Sequence, residues 1–108
     1  MKITEFTKTF KYLRAKYNLT KTSLAKGLGV STPYIIDLEN GNRRPNEKIT
    51  ETLITFYNLD EQDKRLLYDA VAVTTNSLPY DVVRFLLANP SELKQVISSM
   101  NQESSKTL

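Results

Sequence analysis

The residues with the clearest chemical demand lie between Val30 and Asn46, in the run VSTPYIIDLENGNRRPN. Two adjacent guanidinium groups, Arg43 and Arg44, ask for an anion, and their planar forks suit phosphate oxygens. Upstream, Ser31 and Thr32 carry hydroxyls that donate and accept. Asp37 and Glu39 place two carboxylates in the same stretch, where a segment built only to hold a polyanion has no use for them. Elsewhere Asp60, Glu61 and Asp63 cluster, but they fall where a helix begins and read as cap and first-turn charges. The chain has 0 His and 0 Cys, so zinc ligation, disulfides and catalysis by thiolate or imidazole are excluded. With no Gly-rich phosphate loop beside the acids, no metal, no cofactor and no enzymatic activity are expected.

The elements that must position these groups are helices. A chain of 108 residues suffices for one domain with a modest core. Only 3 Gly and 4 Pro argue against a turn-rich β protein. Phe6, Phe10, Leu13 and Tyr17 recur at helical spacing over residues 5–17, between a capping Thr4 and a terminating Asn18. Thr20 caps a short second helix carrying Leu24, Ala25 and Leu28, and Gly29 supplies a residue that tolerates positive φ. Ser31 caps a third helix with Pro33 in its first turn, and Gly41 ends it. Asn46 caps a fourth helix over 47–57, with Ile49, Leu53 and Phe56 inward. Asp60 caps a fifth over 61–73, with Leu66, Leu67, Ala70 and Val71 inward. Pro79 opens a sixth over 79–88. In NPSE, Asn89 reads as the cap of a seventh helix over 90–101, with Pro90 first and Glu92 reaching back.

Charge is uneven along the chain. Residues 1–48 hold 10 Lys and Arg against 4 Asp and Glu, whereas residues 49–108 hold 5 against 8. Only the front half is suited to a polyanion. The N-terminal MKITEFTKTFKYLRAKY is amphipathic and lacks the apolar run of a signal peptide, and no window reaches the length of a membrane span. No signal peptide and no membrane partner are expected.

LTKTSLAKGLGVSTPYIIDLENGNRRPN resembles the helix-turn-helix of the phage repressor and Cro family, also called the XRE family. That family runs Leu-Thr-Gln-x-x-Leu-Ala, Leu-Gly-Val-Ser, Ile-x-x-x-Glu-x-Gly, then a basic loop closing on Pro. Leu19, Thr20, Leu24, Ala25, Leu28, Gly29, Val30, Ser31, Ile35, Glu39, Gly41 and Pro45 fall in register. The resemblance covers about Phe6 to Ala72. It implies an all-α, five-helix lambda-repressor-like domain over 1–74; beyond it, the residue pattern itself gives two additional C-terminal helices over 75–101 and a polar tail over 102–108, read as disordered.

The resemblance also implies roles. Base reading falls to Thr32, Pro33 and Asp37, with Tyr34 at the edge; the family often has Gln, Arg or Lys there, and this chain departs. Pro33 offers only apolar contact. Asp37 is an acceptor suited to a cytosine N4 amine, or else a solvated residue or a partner for a nearby cation. Glu39 is implied to point inward and pair with Arg14 from the first helix. Phosphate contacts map to Thr20, Lys21, Ser31, Asn40, Arg43 and Arg44, although the two arginines also fit ordinary solvated loop charges. Lys26 and Lys48 add only to the field, and Ile36, apolar where the family is usually polar, either packs on helix 2 or a partner subunit, the favoured reading, or touches thymine methyls.

Beyond the motif, Phe85, Leu86, Leu93, Val96, Ile97 and Met100 form an apolar set that either meets a second copy or completes the core. The resemblance further implies a homodimer on a double-stranded DNA operator, acting in the bacterial cytoplasm at the nucleoid as a transcriptional repressor of a phage, plasmid or mobile element. The alternative is an antitoxin or anti-defence module that keeps a DNA-binding domain and docks a peptide or protein on its C-terminal helices.

Overall fold

The computed structural model describes residues 2–107, with side chains to Asn101. Seven helices and no strand occur among them: α1 (Glu5–Tyr17), α2 (Lys21–Leu28), α3 (Thr32–Asn40), α4 (Glu47–Tyr57), α5 (Glu61–Thr75), α6 (Tyr80–Ala88) and α7 (Pro90–Thr107). The fold is all-α.

Local chemistry sets most of the boundaries. Thr4, Thr20, Ser31, Asn46 and Asp60 each accept a backbone N–H from the first turn they precede. The first five helices end in left-handed residues, Asn18, Gly29, Gly41, Asn58 and Asn76. Thr4 and Thr7 cap each other reciprocally at the start of α1.

The core lies within the first five helices and their connections. Phe6, Phe10, Leu13, Leu24, Ile35, Leu38, Leu53, Leu67 and Val71 are fully buried in one cluster. Two inward assignments fail. Phe56 and Leu66 lie out, and Ile54, Tyr57 and Tyr68 take the inner positions. Each pair of neighbours competes for one slot, and the surroundings decide it: the Tyr57 ring stacks 4.9 Å from that of Tyr17, while the Phe56 ring covers Gly27. Asp63 also departs from its reading as a cap charge. It is buried between Lys16 Nζ at 2.5 Å and the Tyr12 hydroxyl at 3.2 Å, bracing α1 on α5. The bond to Asp63 raises the Lys16 pKa above its ordinary value.

The C-terminal helices do not complete this core. No residue of α6 is buried, nor is any of residues 90–101 of α7. Among the described residues of this region, Tyr80 packs on the cluster. The molecule is accordingly long, 51 × 28 × 20 Å. Three further readings are corrected. Helix α5 runs to Thr75, because nothing before Asn76 breaks it. Asn89 stands at the start of α7, its carbonyl accepting the Leu93 N–H at 3.2 Å, but its side chain does not cap that helix and turns back to α6, Nδ2 donating to the Phe85 carbonyl at 2.7 Å. The backbone of α7 is helical to Thr107, through most of the stretch read as a disordered tail. Gln, Glu and Lys there are good helix formers, and extending an existing helix is far easier than nucleating one. Leu108 lies outside the described residues.

Candidate nucleic-acid interface

Helices α2 and α3 meet across Gly29, whose φ of 72° lets the chain turn in three residues. Ser31 then accepts the Tyr34 N–H at 3.2 Å and starts α3. Pro33, within its first turn, removes a donor that would have no helical partner. Ile35, Leu38 and Glu39 face the interior. The opposite side presents Pro33 and Ile36 to solvent, with Thr32, Tyr34 and Asp37 half-buried beside them. Ile36 is 36% exposed, so it projects rather than packing away on α2. Asp37 forms no ion pair with any described Lys or Arg; only its backbone carbonyl is engaged, by the Asn42 and Arg43 N–H groups at 2.9 and 3.2 Å.

The cations stand around this face rather than on it. Lys21 opens α2 and is half-buried, next to Thr20, whose hydroxyl is engaged with Ser23. Arg43 and Arg44 are adjacent in sequence but diverge. The Arg43 guanidinium lies over the Tyr34 ring, 4.7 Å from its centroid. Arg44 reaches back to the Thr74 carbonyl at 3.4 Å, at the end of α5. Ser31 is exposed, and Asn40 is half-buried, its carbonyl accepting the Lys2 N–H at 2.8 Å.

Behind the face, Arg14 and Glu39 meet side-on. Nε and Nη2 of Arg14 donate to the two carboxylate oxygens at 2.8 and 2.9 Å, and Nη1 donates to the Leu19 carbonyl at 2.9 Å. This fork ties α1 to the last turn of α3 and to the entry of α2. Tyr57 lies beside the pair, and its hydroxyl has no hydrogen-bond partner. Burial pushes its pKa up to about 12; the Arg14 charge opposes this, and Glu39 adds to it.

Two features escaped the sequence. Tyr34 serves as a platform for Arg43. Lys2 is carried beside the basic loop, because Gly41 has no side chain to strike the Lys2 carbonyl: a Cβ there would sit 2.5 Å from it. A glycine at a helix end signals its cap, and nothing in the sequence announces this second use. The C-terminal candidates also separate. Phe85, Val96, Ile97 and Met100 are exposed, whereas Leu86 and Leu93 are half-buried.

Two short capped helices about a tight glycine turn, the second with its outer side free and cations at its flanks, define a helix-turn-helix DNA-binding protein. Residues 10–64 match the helix-turn-helix family model, and the chain belongs to that family, in its phage repressor and Cro branch. It is 42% identical over 53 residues to an uncharacterised HTH-type transcriptional regulator of Methanocaldococcus jannaschii, covering 49% of this chain and 80% of that protein. It is 38% identical over 47 residues to the ImmF control region 10 kDa protein of Bacillus phage phi105. That match covers 44% of this chain and 52%, about half, of the phage protein. No solved structure gives a significant match. Among the described residues, no helix is long and apolar enough to cross a membrane.

Proposed function

We propose that this protein is a transcriptional repressor that binds double-stranded operator DNA as a homodimer, with α3 in the major groove, on a phage, plasmid or mobile element. The observation that carries the reading is the free outer side of α3. Thr32, Pro33 and Asp37 read base edges there, and Ile36 adds apolar contact with thymine methyls. Tyr34 acts mainly through Arg43. Thr20, Lys21, Ser31, Asn40, Arg43 and Arg44 hold phosphates on either side, the first three through the amino ends of α2 and α3. Such a protein works where the DNA is, in the cytoplasm at the nucleoid, and needs neither cofactor nor catalytic group.

Pairing through α6 and α7 is supported by what those helices leave open. Phe85, Val96, Ile97 and Met100 are 56%, 41%, 47% and 64% exposed. At roughly 100 Å² each they offer about 400 Å² of apolar surface per copy, the size of the largest patch on an ordinary monomer, which is often a functional one. With the polar rim usual for such contacts this approaches the roughly 800 Å² per partner of a stable complex. The occupant is a second copy: Asp81 and Glu92 balance Arg84 and Lys94, so like hairpins do not repel, and no excess charge favours a different partner.

The test combines solution mass with binding to DNA from the flanking intergenic region. A dimer protecting two half-sites about one helical turn apart is expected. A chain that stays monomeric on DNA would move the reading to the protein-binding alternative, an antitoxin or anti-defence module.

A further inference from the structure

The seam between α6 and the DNA-binding domain is polar and braced at two points. Arg65 on α5 forks onto Asp81 of α6, Nη1 and Nη2 donating at 2.6 and 3.0 Å, while its Nε holds Asp69 at 2.9 Å. One turn along α6, Arg84 reaches α4 as well as α5. Its Nη1 donates to Glu47 of α4 at 3.0 Å, and its Nη2 to Glu51 of α4 and the Tyr68 hydroxyl of α5, both at 2.8 Å. Tyr68 in turn donates to Glu51 at 2.6 Å. Helix α6 therefore gives an acid to α5 and a base to α4, three residues apart on one face.

This alternation fixes register in both directions. Sliding α6 by one turn one way brings Arg84 to the place of Asp81, against Arg65. Sliding it the other way brings Asp81 to the place of Arg84, against Glu47 and Glu51. Either slip sets like charge on like charge. Guanidinium forks are also directional, so they restrict rotation as well as sliding. Apolar contact at this seam is limited and not directional: no residue of α6 is fully buried, Val82, Val83 and Leu86 are half-buried, and Tyr80 packs on the core. The five acids and bases of the brace are between 33% and 55% exposed in their side chains, so each pair adds little stability, but a bidentate fork and a linked network are the arrangements in which exposed charges do hold a geometry.

We infer that Arg65 and Arg84 are positioning residues that set the angle between the DNA-binding domain and the pairing hairpin, and so fix the distance between the two half-sites the dimer accepts. The inference rests on the dimeric reading above. Glu47 strengthens the link, because it opens α4 three residues after Arg44, so the brace ends beside the loop assigned to phosphate.

The experiment is selection of bound DNA from a random 40-base-pair duplex library, with the intact chain and with the Arg65→Ala/Arg84→Ala variant. The intact chain is expected to enrich paired half-sites at one separation. The variant is expected to enrich the same half-site sequence at several separations, with its melting temperature within a few degrees and its solution mass unchanged. A second variant pairs Arg65→Asp with Asp81→Arg, restoring the α5–α6 brace with its charges exchanged, and should return a narrower spread than Asp81→Arg alone. A double-alanine variant that keeps the single separation overturns the inference and leaves the dimer intact. An intact chain that enriches unpaired sites overturns the dimeric reading, and the inference with it.

Discussion

Replacing Arg14 by alanine isolates the bidentate ion pair behind the candidate DNA-binding face. The Glu39 carboxylate is 7% exposed, and both its hydrogen bonds come from Arg14. Removing the guanidinium strands a buried charge, which costs about 3–5 kcal/mol when the pair is fully enclosed. Arg14 is 21% exposed, so water enters from its side and lowers the figure. The lost bond to the Leu19 carbonyl restores part of it, leaving about 3–4 kcal/mol. For a chain of this length 1 kcal/mol shifts the melting midpoint by roughly 4 °C, so a fall of about 12–16 °C is expected. Helical circular dichroism during heating measures it. The double change Arg14→Met/Glu39→Leu should recover much of the loss, because the stranded charge goes with its partner. A fall under about 4 °C for Arg14→Ala, or a double variant as unstable as the sum of its parts, would refute the claim that the pair pins α1 to the end of α3.

Gly41→Ala should destabilise more than Gly29→Ala, though both have positive φ. At Gly29 an added Cβ meets nothing and the loss is the backbone strain of about 1 kcal/mol; at Gly41 it also strikes the Lys2 carbonyl, so amide exchange at Lys2 should accelerate as well. Tyr57→Phe removes a buried hydroxyl without a partner and should hold or raise the melting temperature. Because the folded state keeps the Tyr57 proton up to about pH 12, against an ordinary value near 10, its contribution to stability is complete below pH 10 and is lost between pH 10 and 12. The phenylalanine variant should show a shallower alkaline fall, with Tyr68, also raised to about 12 mainly by burial, supplying the remainder. Arg43→Ala/Arg44→Ala should weaken binding to all sequences alike and lower the log–log salt slope by about 2; a drop nearer 1 would mean that Arg44 stays on the Thr74 carbonyl in the complex. Asp37→Asn breaks no ion pair and should leave the melting point alone while moving one operator position from cytosine toward adenine, by roughly 10- to 100-fold in selection. A uniform gain in affinity with no change of base would assign Asp37 to the field alone.

The parts of the fold legible in the sequence are those decided within four residues. Thr4, Thr20, Ser31, Asn46 and Asp60 cap by reaching their own first turn, and Asn18, Gly29 and Gly41 end helices through their own φ. No distant neighbour is needed, so the pattern of residue types suffices. What could not be read depends on contacts across the chain. Phe56 and Tyr57 fit the helical period equally well, and the Tyr17 ring, distant in sequence, meets Tyr57 in the interior. Asp63 looked like a cap charge because its partners Lys16 and Tyr12 are some fifty residues away. Arg43 and Arg44 looked equivalent, yet Tyr34 holds one and the end of α5 the other. The helix-turn-helix itself was legible because its geometry is concentrated in one glycine turn and two caps. The seam of α6 was not, because its brace joins residues from three helices.

Helix α3 contains no lysine or arginine. On the proposed reading, attraction and discrimination are therefore borne by different residues. Lys21, Arg43 and Arg44 neutralise phosphates at the flanks, while Thr32, Pro33, Ile36 and Asp37 meet the bases with short, mostly uncharged groups. Separating the two has a consequence for affinity. A hydroxyl, a ring methylene and one acceptor add little attraction, and Asp37 opposes the phosphate field. One module would then hold DNA mainly through its flanks, with weak preference among sequences. Selectivity must come from placing two such faces at a fixed distance, where two modest preferences multiply. That requirement gives the polar brace on α6 its importance: a pairing hairpin on a loose joint would double the attraction to any DNA, whereas a hairpin held in register doubles the discrimination.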